Sequence, residues 1–231
     1  MKNRIFEIVF EKYLHLFSKL IPHRMYYRIV MGFRSVNRKI TKTSLTNDEN
    51  SGYTIYKQLI SILNLKKGNR LLDYGCGVGG VGIHFARYLN PENYLGVDIS
   101  GAAIKNANKN FPGYNFQRIR NNKDLKEFGI FDLVIAQSVF THNPPHLLSE
   151  FLSTIKLNIN KDSKVYVTFS VGNSDYNLRN VDFIYQNSTI EKSAQKNGFK
   201  CSIVDNWEHP SQEFRTEAEY VDRLYLFQLT S

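Results

Sequence analysis

Leu71-Leu72-Asp73-Tyr74-Gly75-Cys76-Gly77-Val78-Gly79-Gly80 decides the fold. An apolar run meets an acid, then alternating glycines, then Val81-Gly82-Ile83-His84-Phe85-Ala86, which reads as the start of a helix. Glycine serves where the backbone takes positive φ or where a ligand must come close to the main chain. A helix start presents unpaired N–H groups to negatively charged atoms. The stretch therefore predicts a nucleotide-cofactor loop at the carboxyl end of a first parallel strand.

The loop lacks the Gly-Lys-Ser/Thr ending of a phosphate-binding P-loop. Spaced glycines alone would also suit a dinucleotide. The acid two residues before the first glycine decides between them, because a carboxylate suits an ammonium and repels phosphate. Asp73-x-Gly75-x-Gly77-x-Gly79 resembles motif I of the class I S-adenosylmethionine (AdoMet)-dependent methyltransferases. The resemblance implies that Asp73, Gly75, Cys76, Gly77 and Gly79 wrap the amino-acid end and ribose of AdoMet.

Three further segments follow in the order that this family uses. Tyr94-Leu95-Gly96-Val97-Asp98-Ile99-Ser100 is a short apolar strand ending in an acid, at the separation expected of a ribose-binding carboxylate. Asp98 is the candidate for the ribose hydroxyls, Ile99 for the adenine face, and Ser100 for the N-cap of the next helix. Phe131-Asp132-Leu133-Val134-Ile135-Ala136 resembles strand 4, and Gln137 and Ser138 directly after it are further cofactor candidates. Lys164–Ser170, Gly198–Val204 and Arg223–Leu229 fit strands 5, 6 and a last strand that is antiparallel in this family. Relatives often place an acid against the adenine amine between strands 3 and 4. Counting back from Asp124-Leu125 puts Asn121 there, whose carbonyl can accept from an amine without charge.

The expected fold is therefore an α/β, Rossmann-like sheet of seven mostly parallel strands with an antiparallel last strand and helices on both faces. A helical N-terminal cap precedes it, with residues 1–50 as cap and 51–231 as catalytic domain. Tyr53 to Leu65 reads as the helix entering strand 1, and Tyr53 and Tyr56 are candidates for the methionine end of the cofactor.

Charge is uneven along the 231 residues. Residues 1–47 carry ten basic and two acidic side chains, so nearly all of the net charge of +9 lies there. Ile5, Phe6, Val9, Phe10, Tyr13, Leu14, Leu16, Phe17 and Leu20 recur at helical spacing. A pair of helices packed on the catalytic domain is one reading. Weak contact of residues 1–47 with an anionic membrane surface or a lipid-linked substrate is the second. Nucleic-acid docking is the least favoured. Two cysteines give no disulfide framework, and no metal-ligand spacing occurs, which fits a reducing cytoplasm, with peripheral membrane contact as the variant. No apolar run reaches membrane-spanning length. The oligomeric state is open.

Methyl transfer from a sulfonium is an in-line displacement that needs proximity above all. A base is required when the nucleophile is a hydroxyl. His142, just past strand 4, is the candidate base and a substrate contact. Tyr176, Trp207, His209 and Phe214 are candidates for the acceptor pocket. Asn143-Pro144-Pro145-His146 is similar to the Asn-Pro-Pro-Tyr motif of amino-group methyltransferases. It comes too late after strand 4, however, and its prolines fit the first turn of a helix from His146 to Ile155. The resemblance implies methyl transfer to a hydroxyl or amine of a small molecule, such as a sugar, glycan or lipid-linked intermediate. An RNA methyltransferase and a non-catalytic AdoMet-binding module are the alternatives.

Overall fold

The computed structural model describes residues 46–178, 182–207 and 220–230. The basic segment before Thr46, together with His209 and Phe214, lies outside the described residues.

Helix α1 (Thr46–Leu63) leads into β1 (Leu71–Tyr74). Its described part reaches back from Tyr53 to Thr46. Then come α2 (Gly82–Tyr88), β2 (Tyr94–Asp98), α3 (Gly101–Asn110), β3 (Phe116–Arg118) and β4 (Leu133–Ala136). Ser100 caps α3 as expected, its hydroxyl accepting from the Ala103 N–H at 3.2 Å. Helix α4 (Pro145–Ile155) starts on Pro145, with Pro144 at its N-cap, which confirms the helical reading of the two prolines. It buries Leu148, Phe151, Leu152 and Ile155, the i, i+3, i+4, i+7 stripe of a helix lying on a sheet.

The remainder is β5 (Lys164–Gly172), β6 (Tyr176–Leu178), β7 (Asp182–Gln186), α5 (Asn187–Lys196), β8 (Phe199–Ile203) and β9 (Tyr220–Leu229). The strands run β3-β2-β1-β4-β5, with β9 antiparallel to β5 and β8 antiparallel to β9. These seven are the sheet expected from the sequence. Strands β6 and β7 form an antiparallel hairpin that the sequence reading did not contain. Strand β9 fills one edge of β5 from Val165 to Gly172. Strand β4 therefore occupies the first part of the other edge, against Lys164–Val167, and β7 the last part, against Ser170–Gly172.

Alternation along the strands sends side chains to two apolar layers. One face packs Val134, Val165, Val167, Phe169 and Phe227 under α4 and α5. The other packs Leu71, Tyr94, Leu133, Ile135 and Tyr166 under α1 and α2. Helices thus cover both faces, and what the fold leaves open is the carboxyl edge, where the strand order reverses between β2-β1 and β4-β5.

Candidate functional site

A cleft opens at this switch point. Tyr74 and Gly75 from the end of β1, Asp98 and Ile99 from the end of β2, Asn121 and Asn122 from the segment after β3, and Ser138, Val139, Phe140 and Asn143 after β4 line it. Five of the expected cofactor residues, Gly75, Asp98, Ile99, Asn121 and Ser138, are brought together here.

The glycine loop behaves as its composition requires. Gly75, Gly77 and Gly79 have φ of +77°, +57° and +85°, where an L side chain is strained. The Gly75 and Cys76 N–H groups both donate to the Val97 carbonyl, at 2.7 and 3.0 Å, tying the loop to β2. A Cβ on Gly75 would lie 2.4 Å from Val139 Cγ2, and one on Gly79 2.8 Å from the Phe116 ring. A Cβ on Gly77 would meet nothing within 4 Å, so this glycine faces open space.

Asp98 spans the loop. Its Oδ2 accepts from the Gly77 N–H at 3.0 Å and its Oδ1 from the Ser100 N–H at 2.7 Å. Burial raises its carboxyl above the usual range, and the two N–H donors oppose that rise. Each oxygen keeps a second lone pair, which is the acceptor pair that a vicinal diol needs. Asn121 uses its carbonyl oxygen to cap the short 3-10 helix Asn122–Phe128, accepting from the Lys123 N–H at 2.9 Å. The oxygen expected to meet adenine therefore already serves a local turn. Next to it, the Tyr74 hydroxyl donates to Asn122 Oδ1 at 2.7 Å.

Two expectations change. Asp73 does not line the cleft. Its carboxyl is 3% exposed and accepts from the Tyr94 hydroxyl at 2.9 Å, beneath the loop. Burial pushes it up to about 7, with the Tyr94 hydroxyl lowering it and Asp98 adding to the rise. Trp207 is 4% exposed and packs in the layer with Tyr166 and Leu224, so it is a core residue and offers no face to an acceptor. Cys76 is a neutral thiol, since burial and the charges of Asp73 and Asp98 raise it well above its ordinary value.

Beyond β4 the chain turns sharply. Ser138 has φ of +54°, rare for a residue with a side chain. Its N–H donates to Thr168 Oγ1 at 2.7 Å. Gln137 donates to the Ser138 hydroxyl at 3.1 Å, while its Oε1 is buried with no hydrogen-bond partner. The short 3-10 turn Phe140–His142 follows. Here the imidazole Nδ1 of His142 lies 2.8 Å from Asp182 Oδ1 on β7, with the two side chains 25% and 36% exposed. Asp182 was not foreseen: it lies forty residues away, in a stretch without motif. Tyr176 sits on β6, the partner strand of β7. Tyr53 and Tyr56 of α1 pack on His84 of α2, with ring centroids 5.2 and 5.5 Å from it. Among the described residues, no group of three His, Cys, Asp or Glu side chains could hold a metal ion. Among them, too, no helix is long and apolar enough to cross a membrane.

The sheet order, the left-handed glycines and the acid closing β2 define a class I methyltransferase domain, the kind that binds AdoMet. A family model described as a methyltransferase domain matches residues 65–219, and the chain belongs to that family. It is 24% identical over 178 residues to cyclopropane-fatty-acyl-phospholipid synthase of Escherichia coli K12, covering 74% of this chain and 45% of that protein. It is 34% identical over 90 residues to phthiotriol/phenolphthiotriol dimycocerosates methyltransferase 1 of Mycobacterium ulcerans, covering 38% and 32%. The chain thus spans less than half the length of these relatives. Magnesium protoporphyrin IX methyltransferase of Synechocystis PCC 6803, solved with bound AdoMet, has a similar fold, with a TM-score of 0.55, 22% identity and 79% of each chain covered.

The residues present fit AdoMet. The space beside Gly77, where even a methyl group would meet nothing, and the lone pairs of Asp98 beside it suit a ribose. Ile99 offers an apolar face within the same cleft, and the buried Gln137 Oε1 at the end of β4 awaits a donor.

Proposed function

We propose that this chain transfers a methyl group from AdoMet to a hydroxyl of a small apolar or lipid-linked molecule, with His142 as general base. Asp98, Ile99, Ser138 and the glycine loop would hold the cofactor. AdoMet, when bound, supplies a methyl group already activated as a sulfonium.

The observation that carries the reading is the placement of His142. It ends the turn whose Phe140 lines the cofactor cleft, and its Nδ1 faces a carboxylate at 2.8 Å. A neutral imidazole can take the hydroxyl proton as the nucleophile attacks. The partial exposure of His142 suits a group that must reach an acceptor and return its proton to water. Proximity and orientation supply the rest of the rate.

Two observations favour a lipid-linked acceptor. Two of the curated relatives are named for lipid chemistry, although others are named as methyltransferases of rRNA and of proteins. The segment before the catalytic domain interleaves its ten basic residues with apolar and aromatic ones, a composition suited to an anionic lipid surface.

The test uses methyl-labelled AdoMet with the intact chain and, in parallel, a total lipid extract, a polar small-molecule extract and RNA. Label should enter the lipid fraction. His142→Gln should lower that rate by about 10²–10⁴-fold and leave AdoMet affinity unchanged. Label entering RNA alone would overturn the acceptor class, and full activity in His142→Gln would overturn the base.

A further inference from the structure

The α1 side of the sheet ends in a carboxylate that the cofactor does not use. We infer that Asp222 anchors the basic segment ahead of α1, so that residues 1–45 lie across the carboxyl edge beside the cofactor cleft. This anchoring is independent of the acceptor's identity and of His142.

The sheet face under α1 changes character along β5 and β9. Tyr166 of β5 belongs to the apolar layer, and Thr168 and Ser170 follow it on the same face. Their partners on β9 are Leu226, Leu224 and Asp222. The face thus turns polar toward the carboxyl end of β5, beyond Val167, where the pairing with β4 stops. The Ser170 hydroxyl donates to Asp222 Oδ1 at 2.6 Å, and both side chains are 4% exposed. One repeat back, Thr168 Oγ1 takes the N–H of Ser138, a residue of the cofactor cleft. The buried acid therefore stands next to that cleft.

A carboxylate this deep calls for a cation. A neutral hydroxyl offsets only part of the cost of taking the charge out of water. Arg223, next along β9, is exposed and alternates to the opposite face. Residues 208–219, ahead of β9, hold four Glu and one Arg, a net negative segment. Residues 1–45 hold ten basic and two acidic side chains, a third of the 30 Lys and Arg in the chain.

The segment also enters at the right place. Helix α1 follows it from Thr46 and sets Gly52 against Gly80 at the end of the cofactor loop. Leu59 and Leu63 of α1 pack in the same layer as Tyr166 and Leu224. Residues 1–45 therefore join the domain at the carboxyl edge and on the face that carries Asp222. From β1 the sheet steps through β4 and β5 to β9, a distance of about 14 Å at about 4.8 Å per strand. About ten helical residues, at about 1.5 Å each, span it.

Trypsin tests the anchor on the full chain, because each of the ten basic residues of the segment is a cleavage site. Cutting within residues 1–45 of the folded wild type should be slow. Asp222→Asn keeps an acceptor for the Ser170 hydroxyl and removes the charge. It should speed that cutting by roughly 10–10³-fold and leave cutting beyond residue 46 unchanged. If Asp222→Asn unfolds, cutting accelerates along the whole chain, and the other partner decides. Each Lys and Arg of residues 1–45 is then replaced by Gln, one at a time, in the otherwise wild-type chain. One of these substitutions should expose the remaining sites of the segment. Rapid cutting of the segment in the wild type, equal cutting in wild type and folded Asp222→Asn, or no effect of any of the ten substitutions would overturn the anchor. So would exposure by Arg215→Gln in place of all ten, which would give Asp222 to the segment ahead of β9.

Discussion

Gly52 of α1 rests on Gly80 so closely that a Cβ added to Gly52 would lie 2.3 Å from the Gly80 carbonyl oxygen. Both neighbours are backbone, so no side-chain rotation could relieve the contact. The helix that precedes the sheet is thereby seated on the end of the cofactor loop, and Tyr53 and Tyr56 are brought against His84. Gly52→Ala should push α1 off the loop. The expected cost is about 1–3 kcal/mol from overpacking, offset by up to about 1 kcal/mol of helix propensity. Melting with and without AdoMet checks it: both stability and affinity should fall. Unchanged affinity would mean that the seat of α1 does not shape the cofactor site.

Asp73 makes stability depend on pH in an uncommon direction. Its folded carboxyl titrates near 7, against 3.8 for the free side chain. A raised acid contributes stability that is fully present below the unfolded value and is lost as pH rises through the folded one. The wild-type protein should therefore lose stability from this group between about pH 4 and 7. Asp73→Asn, which keeps an acceptor for the Tyr94 hydroxyl, should remove that loss. The variant should gain on the wild type by on the order of 2–4 kcal/mol between pH 4 and 8. Denaturant melts at several pH values test this, and parallel curves for the two proteins would contradict it.

The same two residues mark what a sequence can and cannot disclose. Asp73 and Asp98 both end apolar strands beside glycines, so both read as cofactor acids. Depth along the strands separates them: Asp73 is paired with Gly96, on the same face as Asp98 but one pleat repeat further from the carboxyl edge. Asp98 reaches the cleft and spans the loop, whereas Asp73 points inward to Tyr94 and under Gly82, where a Cβ would lie 1.8 Å from the Tyr94 hydroxyl oxygen. Six of the strands were legible as short runs bounded by turn residues, whereas β3, Phe-Gln-Arg with a single buried side chain, came only with the family's strand order. The β6–β7 hairpin was not, because Tyr176-Asn177-Leu178 is only three residues long, too short for its alternation to stand out, and owes its strand form to pairing with β7. Asp182 was invisible for the same reason, since only that hairpin brings it to His142. Trp207 misled because its side chain turns into the core from a segment that reads as an active-site loop.

Gly75 links the cofactor loop to the turn that carries His142. Its Cβ would strike Val139 Cγ2 at 2.4 Å, and its φ is +77°. Gly75→Ala should therefore cost both backbone strain, about 1–3 kcal/mol, and a steric clash. Val139→Ala should relieve the clash alone. The double variant is expected to be more stable than the sum of the single losses allows, by a coupling of about 0.5–3 kcal/mol. Strict additivity in chemical denaturation would show that the two loops do not touch in solution.

Asp98 offers the most direct reading of the cofactor site, because it has two duties that substitution can separate. It orders the loop through Gly77 and Ser100, and its remaining lone pairs suit the ribose diol. Asp98→Ala removes both, and should weaken AdoMet binding by roughly 1–3 kcal/mol, the scale of a lost charged hydrogen-bond partner. Asp98→Asn keeps one acceptor oxygen and introduces a donor next to backbone N–H groups that also donate. It should therefore bind AdoMet no better than the alanine variant and should lose stability besides. Calorimetry with AdoMet and with its deoxyribose analogue separates the duties. If the carboxylate meets the diol, the analogue should bind wild-type protein more weakly than AdoMet does, and the difference should shrink in Asp98→Ala. An equal preference for AdoMet over the analogue in both proteins would assign Asp98 to the loop alone and leave the ribose to backbone groups around Gly77.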